Sequence, residues 1–241
     1  MDELLSAPAA AVQRATEASG VGLLAVGRPW VQYEGWLLKE SGALTGGYHL
    51  RFFVVSGDRI EYFSEQKSKL EVRSNETAAT VLTTLGLEVD RTNVVCFMPG
   101  ATPSPKERQV LEGDVIIGVN GMPCVGEPAK HALGLAPAGG PITVTLLRPK
   151  GRIALHGASV VPAGPRKGGG HMLTLSVSDS SSRRSKYQLV CPDERSCAGW
   201  IASIKEAIAA CAMEEIKSAV RTPCRTRASS PPSPPCASLC S

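Results

Sequence analysis

Eight cysteines, four histidines and several glycine-rich stretches are the residues of this chain best suited to chemistry, and their spacing speaks against it. The cysteines stand at positions 96, 124, 191, 197, 211, 224, 236 and 240. No two form a Cys-x-x-Cys pair, so their scatter does not suit a tetrahedral zinc site. Cys96, Cys191 and Cys211 lie in apolar patterns, where a reduced thiol serves as a small hydrophobe. His49, His131, His156 and His171 include no i,i+4 pair, so a helical metal-binding motif is absent from the sequence. Gly113 and Gly118 have phosphate-loop spacing, yet Val119 and Asn120 stand where Lys and Ser or Thr are required. Gly157-Ala158-Ser159-Val160 lacks the second glycine of a nucleophile elbow. Gly168-Gly169-Gly170 follows Arg166-Lys167, which the tip of a hairpin accounts for without a phosphate. The expectation is a protein that is not an enzyme and uses neither metal nor cofactor.

Composition narrows the partners. The chain of 241 residues is 43% hydrophobic, enough for one or two modest cores. Twenty-six basic against 22 acidic residues leave a net charge of only +4, too small and too dispersed to argue for nucleic acid. No stretch approaches the roughly 20 apolar residues that span a bilayer; Val21 to Gly27 is the best run ahead of the patterned segments. Asp2 and Glu3 spoil a positively charged signal-peptide start, and Asp2 also stands where N-myristoylation needs glycine. A cytoplasmic location is expected, peripheral at the inner membrane face if lipid is bound.

The elements that must position any site are mostly strands. Trp36-Leu37-Leu38 and Phe52-Phe53-Val54-Val55 are β-rich runs around the turn-forming Ser41 to Gly47, and Arg59 to Phe63 follows the break at Ser56-Gly57-Asp58. Such a three-stranded meander needs a covering element. The cover comes late: Asp193 is an N-cap candidate, and Trp200, Ile201, Ile204, Ile208 and Cys211 recur at helical spacing. Between these flanks, Ala79 to Leu82, Leu85 to Val89 and Asn93 to Met98 read as strands; Val115 to Val119 ends in an Asn-Gly turn, and Ile142 to Leu147 returns as a last strand. From Ser218 onward Arg, Thr, Ser and Pro dominate, with too little apolar bulk to pack.

Joined, the flanks EGWLLK (34–39), YHLRFFVV (48–55), RIEYF (59–63), GRIAL (151–155), MLTLSV (172–177) and YQLVC (187–191), with the helix carrying Trp200, resemble a pleckstrin-homology domain. LGLEV (85–89) and LEGDVIIGVNG (111–121) between them resemble a PDZ domain. A PDZ domain inside a split pleckstrin-homology domain is similar to the N-terminal arrangement of the syntrophins. The resemblance implies a mainly β fold with α: a split β-barrel or sandwich capped by a C-terminal helix, holding an inserted β-sandwich. It divides the chain into a leader (1–32) with a short helix, a first half (33–73), an insertion (74–148), a second half (149–213) and a disordered tail (214–241).

The same resemblance implies two sites. Thr84-Leu85-Gly86-Leu87 takes the place of the Gly-Leu-Gly-Phe loop that binds a peptide's terminal carboxylate through backbone N–H groups. A partner's C-terminal strand would pair with Leu85 to Val89, its last side chain entering a pocket of Leu85, Leu87, Leu133 and Ala136. Ala129 replaces the histidine that selects serine or threonine in many PDZ domains. Lys39, His49 and Arg51 match the cations that grip a phosphoinositide head group, with Arg51 able to chelate phosphate. The implied function is a non-catalytic scaffold or adaptor that binds a hydrophobic C-terminal peptide and associates with membrane phosphoinositides or protein partners. The alternative is a lipid-binding membrane-targeting module in which the PDZ unit is only structural.

Overall fold

The computed structural model describes residues 31–41, 47–72, 76–84, 86–98, 110–124, 128–136, 139–178 and 184–221. The expected leader helix, Leu85, and the tail beyond Arg221 lie outside the described residues. The protein is mainly β. Its strands are β1 (Val31–Glu40), β2 (Tyr48–Ser56), β3 (Arg59–Val72), β4 (Leu87–Val89), β5 (Val95–Phe97), β6 (Val115–Val119), β7 (Met122–Pro123), β8 (Gly140–Ala154), β9 (Ser159–Pro165), β10 (His171–Ser178) and β11 (Arg184–Cys191). The helices are α1 (Ala78–Thr84), α2 (Ala129–Leu135) and α3 (Glu194–Arg221).

Nine strands join in one antiparallel sheet in the order β7-β6-β8-β3-β2-β1-β11-β10-β9, and β4 and β5 form a separate pair. The barrel expected from the sequence does not close: among the described residues no pairing joins β7 to β9. The cause lies in β3 and β8. Each was expected to be short, but they run for 14 and 15 residues and pair from Arg59 with Ala154 to Val72 with Gly140. The ladder therefore continues outward through β6 and β7 rather than curling back. At the other end β9 is an edge carrying Pro162 and Pro165, residues that donate no ladder hydrogen bond and blunt an edge against further pairing.

Two large cores lie along this sheet. The first draws Leu37, Phe53, Ile60, Ile153, Leu173, Leu189, Trp200 and Ile204 from before residue 63 and after residue 151. Trp200 meets Tyr33 edge-to-face at 4.8 Å and Phe53 at 6.4 Å. α3 forms for the reasons its sequence gives. Asp193 accepts the Ser196 N–H at 2.7 Å as an N-cap, and Trp200, Ile204, Ala207 and Cys211 bury one stripe. The helix also runs on to Arg221, so residues 214–221, expected in a disordered tail, are helical. The second core combines Leu70, Val72, Leu82, Leu87, Val95, Ile116, Leu133 and Val144. A smaller cluster of Trp36, Phe52, Val54, Phe63, Val115 and Leu147 fills the seam between them.

Ala79 to Leu82 is helical, contrary to the strand expected from Thr80 and Val81. Thr77 Oγ1 accepts the Thr80 N–H at 3.1 Å, and Ala78 and Leu82, one turn apart, bury together. Cap and burial outweigh a weak β preference.

Candidate functional site

Strand register assembles the first site. Lys39 pairs with His49 and Leu37 with Arg51, so all three side chains stand on the face that buries Leu37 and Phe53. A pocket of about 190 Å³ there is lined by Lys39, Glu40, Ser41, His49, Arg51, Tyr62 and Lys150. The three residues singled out from the sequence thus converge, and Lys150 joins them from the distant strand β8.

Lys39 Nζ sits 5.3 Å from the Tyr62 ring centre and 5.6 Å from that of Tyr187, and donates to the Glu40 carbonyl at 3.5 Å. Burial, and then the neighbouring Arg51, hold its pKa below the usual lysine value. Arg51 spends one Nη on the Leu50 carbonyl at 2.8 Å. Among the described residues no carboxylate forms an ion pair with Lys39, Arg51 or Lys150. Glu40 also lines the pocket and its charge acts on Lys39, so the concavity sets three cations against one carboxylate, an excess that suits an anion whose geometry matches phosphate oxygens.

Lys150 owes its place to an irregularity. Phe63 pairs with Pro149 and Tyr62 with Gly151, so Lys150 is the extra residue of a β-bulge with no partner across the ladder. Gly151 is required beside it, since a Cβ there would lie 2.5 Å from the Tyr62 hydroxyl. A second cavity of about 290 Å³ shares Tyr62 and Lys150 and reaches Glu61 and Arg152 at the seam. No pattern around Lys150 signals the bulge except the Pro149-Lys150-Gly151 run itself, a proline and a glycine interrupting a strand.

The second candidate site differs from what the sequence suggested. Thr84 is the last residue of α1 and its hydroxyl donates to the Thr80 carbonyl at 3.0 Å. Gly86, at φ 71°, follows as the helix's left-handed cap: its N–H donates to the Thr83 carbonyl at 2.9 Å, and its carbonyl accepts from Met98 N–H at 3.0 Å. That N–H is therefore engaged within the chain rather than aimed at a carboxylate. Leu87, Ala129 and Leu133 are fully buried, with Leu82 of α1 packed into the same core, and Ala136 is partly buried against it. What remains open is a cleft of about 250 Å³ between α1, β4 and α2, lined by Ala79, Leu82, Thr83, Glu88, Val89, Met98 and Lys130 as well as Leu87 and Leu133. Beyond its pairing with β5, β4 has no strand neighbour among the described residues. Lys130, which stands at this cleft, was not anticipated from the sequence.

Among the described residues, Cys124, Cys191, Cys197 and Cys211 are buried and act as apolar fillers, while Cys96 is partly buried. Cys191 and Cys197 are buried against each other, and desolvation pushes both thiols up. Among the described residues no cluster of three His, Cys, Asp or Glu side chains could hold a metal, and no helix is long and apolar enough to cross a membrane. No family model matches the chain, and no curated protein matches it.

Proposed function

We propose that this protein is a non-catalytic membrane-associating adaptor: a pleckstrin-homology-like platform, split by a PDZ-like insertion, that binds a phosphate-bearing lipid head group. The observation that carries the reading is the convergence of Lys39, Arg51 and Lys150, with His49 beside them, around one pocket whose acidic lining residue, Glu40, forms no ion pair with them among the described residues. A phosphate accepting charge-assisted hydrogen bonds from three cations gains roughly 1.5 to 3 kcal/mol from each, about 4.5 to 9 kcal/mol in all, of which association costs offset a large part, so the head group alone should bind weakly and depend on every one of the three. Of the two readings drawn from the sequence, this favours lipid attachment as the leading activity, with the insertion in a supporting role.

Peptide capture is the second reading, and one feature favours it. β4 offers an edge with no second strand neighbour among the described residues, beside a cleft lined in part by Leu82, Leu87 and Leu133, the arrangement by which an added strand is held. Carboxylate recognition at Gly86 is weakened because its N–H already caps α1. Flotation with phosphatidylcholine vesicles, with and without a phosphoinositide, tests the first reading alongside a panel of hydrophobic-ended peptides. Phosphoinositide-dependent flotation, weakened by Arg51→Ala, is the expected outcome. Peptide binding with no vesicle binding reverses the order.

A further inference from the structure

The cation pocket belongs to the platform, yet one of its cations is delivered by the strand that leaves the insertion, and that strand is anchored inside the insertion. Arg148, two residues before Lys150, donates through Nε to Asp114 Oδ1 at 2.9 Å and through Nη2 to Asp114 Oδ2 at 2.7 Å. Asp114 is fully buried and also accepts the Leu111 N–H at 2.8 Å. The remaining Arg148 Nη reaches Gln66 of β3 at 3.4 Å. A two-pronged guanidinium–carboxylate pair fixes both the position and the roll of the residue that carries it. Pro149 then lies just past the last β6 pairing, Val115 with Leu147, and the bulge follows at once. Bulges re-aim the side chain they carry, and Lys150, carried by this one, lines the pocket that Lys39 and Arg51 also line.

We infer that Asp114 and Arg148 are positioning residues for the anion pocket: the insertion sets the platform's affinity for phosphate by clamping the strand that presents Lys150. The inference rests on the proposed function, since it assigns a control element to that same site. The shared chemistry of the ligand is a cluster of phosphate monoesters, supplied either by a lipid head group or by a free inositol phosphate.

The test is titration of the full chain with soluble inositol trisphosphate and, separately, with phosphatidylcholine vesicles containing a phosphoinositide. Binding of both identifies the head group as sufficient; binding of vesicles alone assigns the source to the membrane. Either is compatible with the clamp. Lys150→Ala should weaken binding about tenfold, the loss of one charge-assisted contact, and Lys150→Arg should recover most of it. Asp114→Asn should weaken binding without touching the ligand, and the double variant should be no weaker than Lys150→Ala alone, because both changes remove the same contact. A merely structural role would give losses that add. If Asp114→Asn fails to fold, Gln66→Ala, which frees only the third contact of Arg148, replaces it in the cycle. Wild type that binds while Lys150→Ala binds equally well overturns the inference and reduces the proposed site to Lys39 and Arg51; losses that add overturn the inference and leave the proposed function standing. Wild type that binds neither probe overturns both.

Discussion

Removing the Asp114 carboxylate should be among the most damaging single changes in the second core, and its size can be worked from the contacts. In Asp114→Ala the Arg148 guanidinium loses two hydrogen bonds, at 2.9 and 2.7 Å, and the Leu111 N–H loses its acceptor at 2.8 Å. Breaking a buried pair by deleting one partner costs about 3 to 5 kcal/mol, because the other charge stays behind uncompensated. Here Asp114 is 0% and Arg148 20% exposed, so the guanidinium, which keeps its contact with Gln66 and regains some water, is compensated in part and the lower end, about 3 kcal/mol, is expected. Arg152→Ala is the control. Its bond to Glu61 is somewhat longer, at 3.1 Å, and the Arg152 side chain is 74% exposed; such pairs contribute about 0.2 to 1 kcal/mol. Denaturant unfolding followed by tryptophan fluorescence reads both, since Trp36 lies in the seam and Trp200 in the first core. A loss below about 1 kcal/mol for Asp114→Ala, no larger than that of Arg152→Ala, would refute the view that this pair anchors β8.

The remaining expectations are smaller in scope. Trp200→Ala should cost about 3 to 5 kcal/mol, because its ring is the centre of the first core; a midpoint shift equivalent to less than 2 would mean the sheet can collapse onto the void. Lys39 has a folded pKa below its unfolded one, so the charged form is disfavoured in the folded state at neutral pH, and stability from this group rises as pH climbs from the folded value toward 10.5. A bound anion should reverse that shift, so binding should weaken as pH rises through the lowered pKa and should take up protons in that range but not well below it; calorimetry across that range in buffers of different ionisation heat detects the uptake, and its absence throughout would remove Lys39 from the site. Cys191 and Cys197, buried and with raised pKa values, should resist iodoacetamide at pH 8 until the protein is unfolded, and rapid labelling of the folded chain would contradict their burial.

Elements governed by local signals were legible in the sequence. Asp193 and the stripe from Trp200 to Cys211 specify α3, and Asn120-Gly121, with φ values of 49° and 80°, makes the turn between β6 and β7 that the Asn-Gly pair announces. α1 was misread because its β-branched residues were weighed without the Thr77 cap before it and Gly86 after it. The long ladder between β3 and β8 could not be read either. Alternation of buried and exposed residues persists from Leu70 to Val72 and from Ile142 to Leu146, but nothing local says that the polar stretch Glu65 to Lys69 continues the strand begun at Arg59. Its pairing energy comes from β8, distant in sequence.

The same limit explains the candidate site. Lys39, His49 and Arg51 lie on adjacent strands of one hairpin, so period-two alternation alone brings them to one face. Lys150 breaks that alternation: in a regular strand, a residue between Gly151, which faces Tyr62, and Pro149 would point away from the pocket. Only an extra residue in β8 lets it swing back, and an extra residue in a ladder has meaning only relative to the strand opposite. The bulge is tolerated because Pro149 has no N–H to leave unpaired and Gly151 has no Cβ to strike Tyr62. Three successive residues, each ordinary in a loop, thus acquire a role from a partner strand that the sequence places elsewhere.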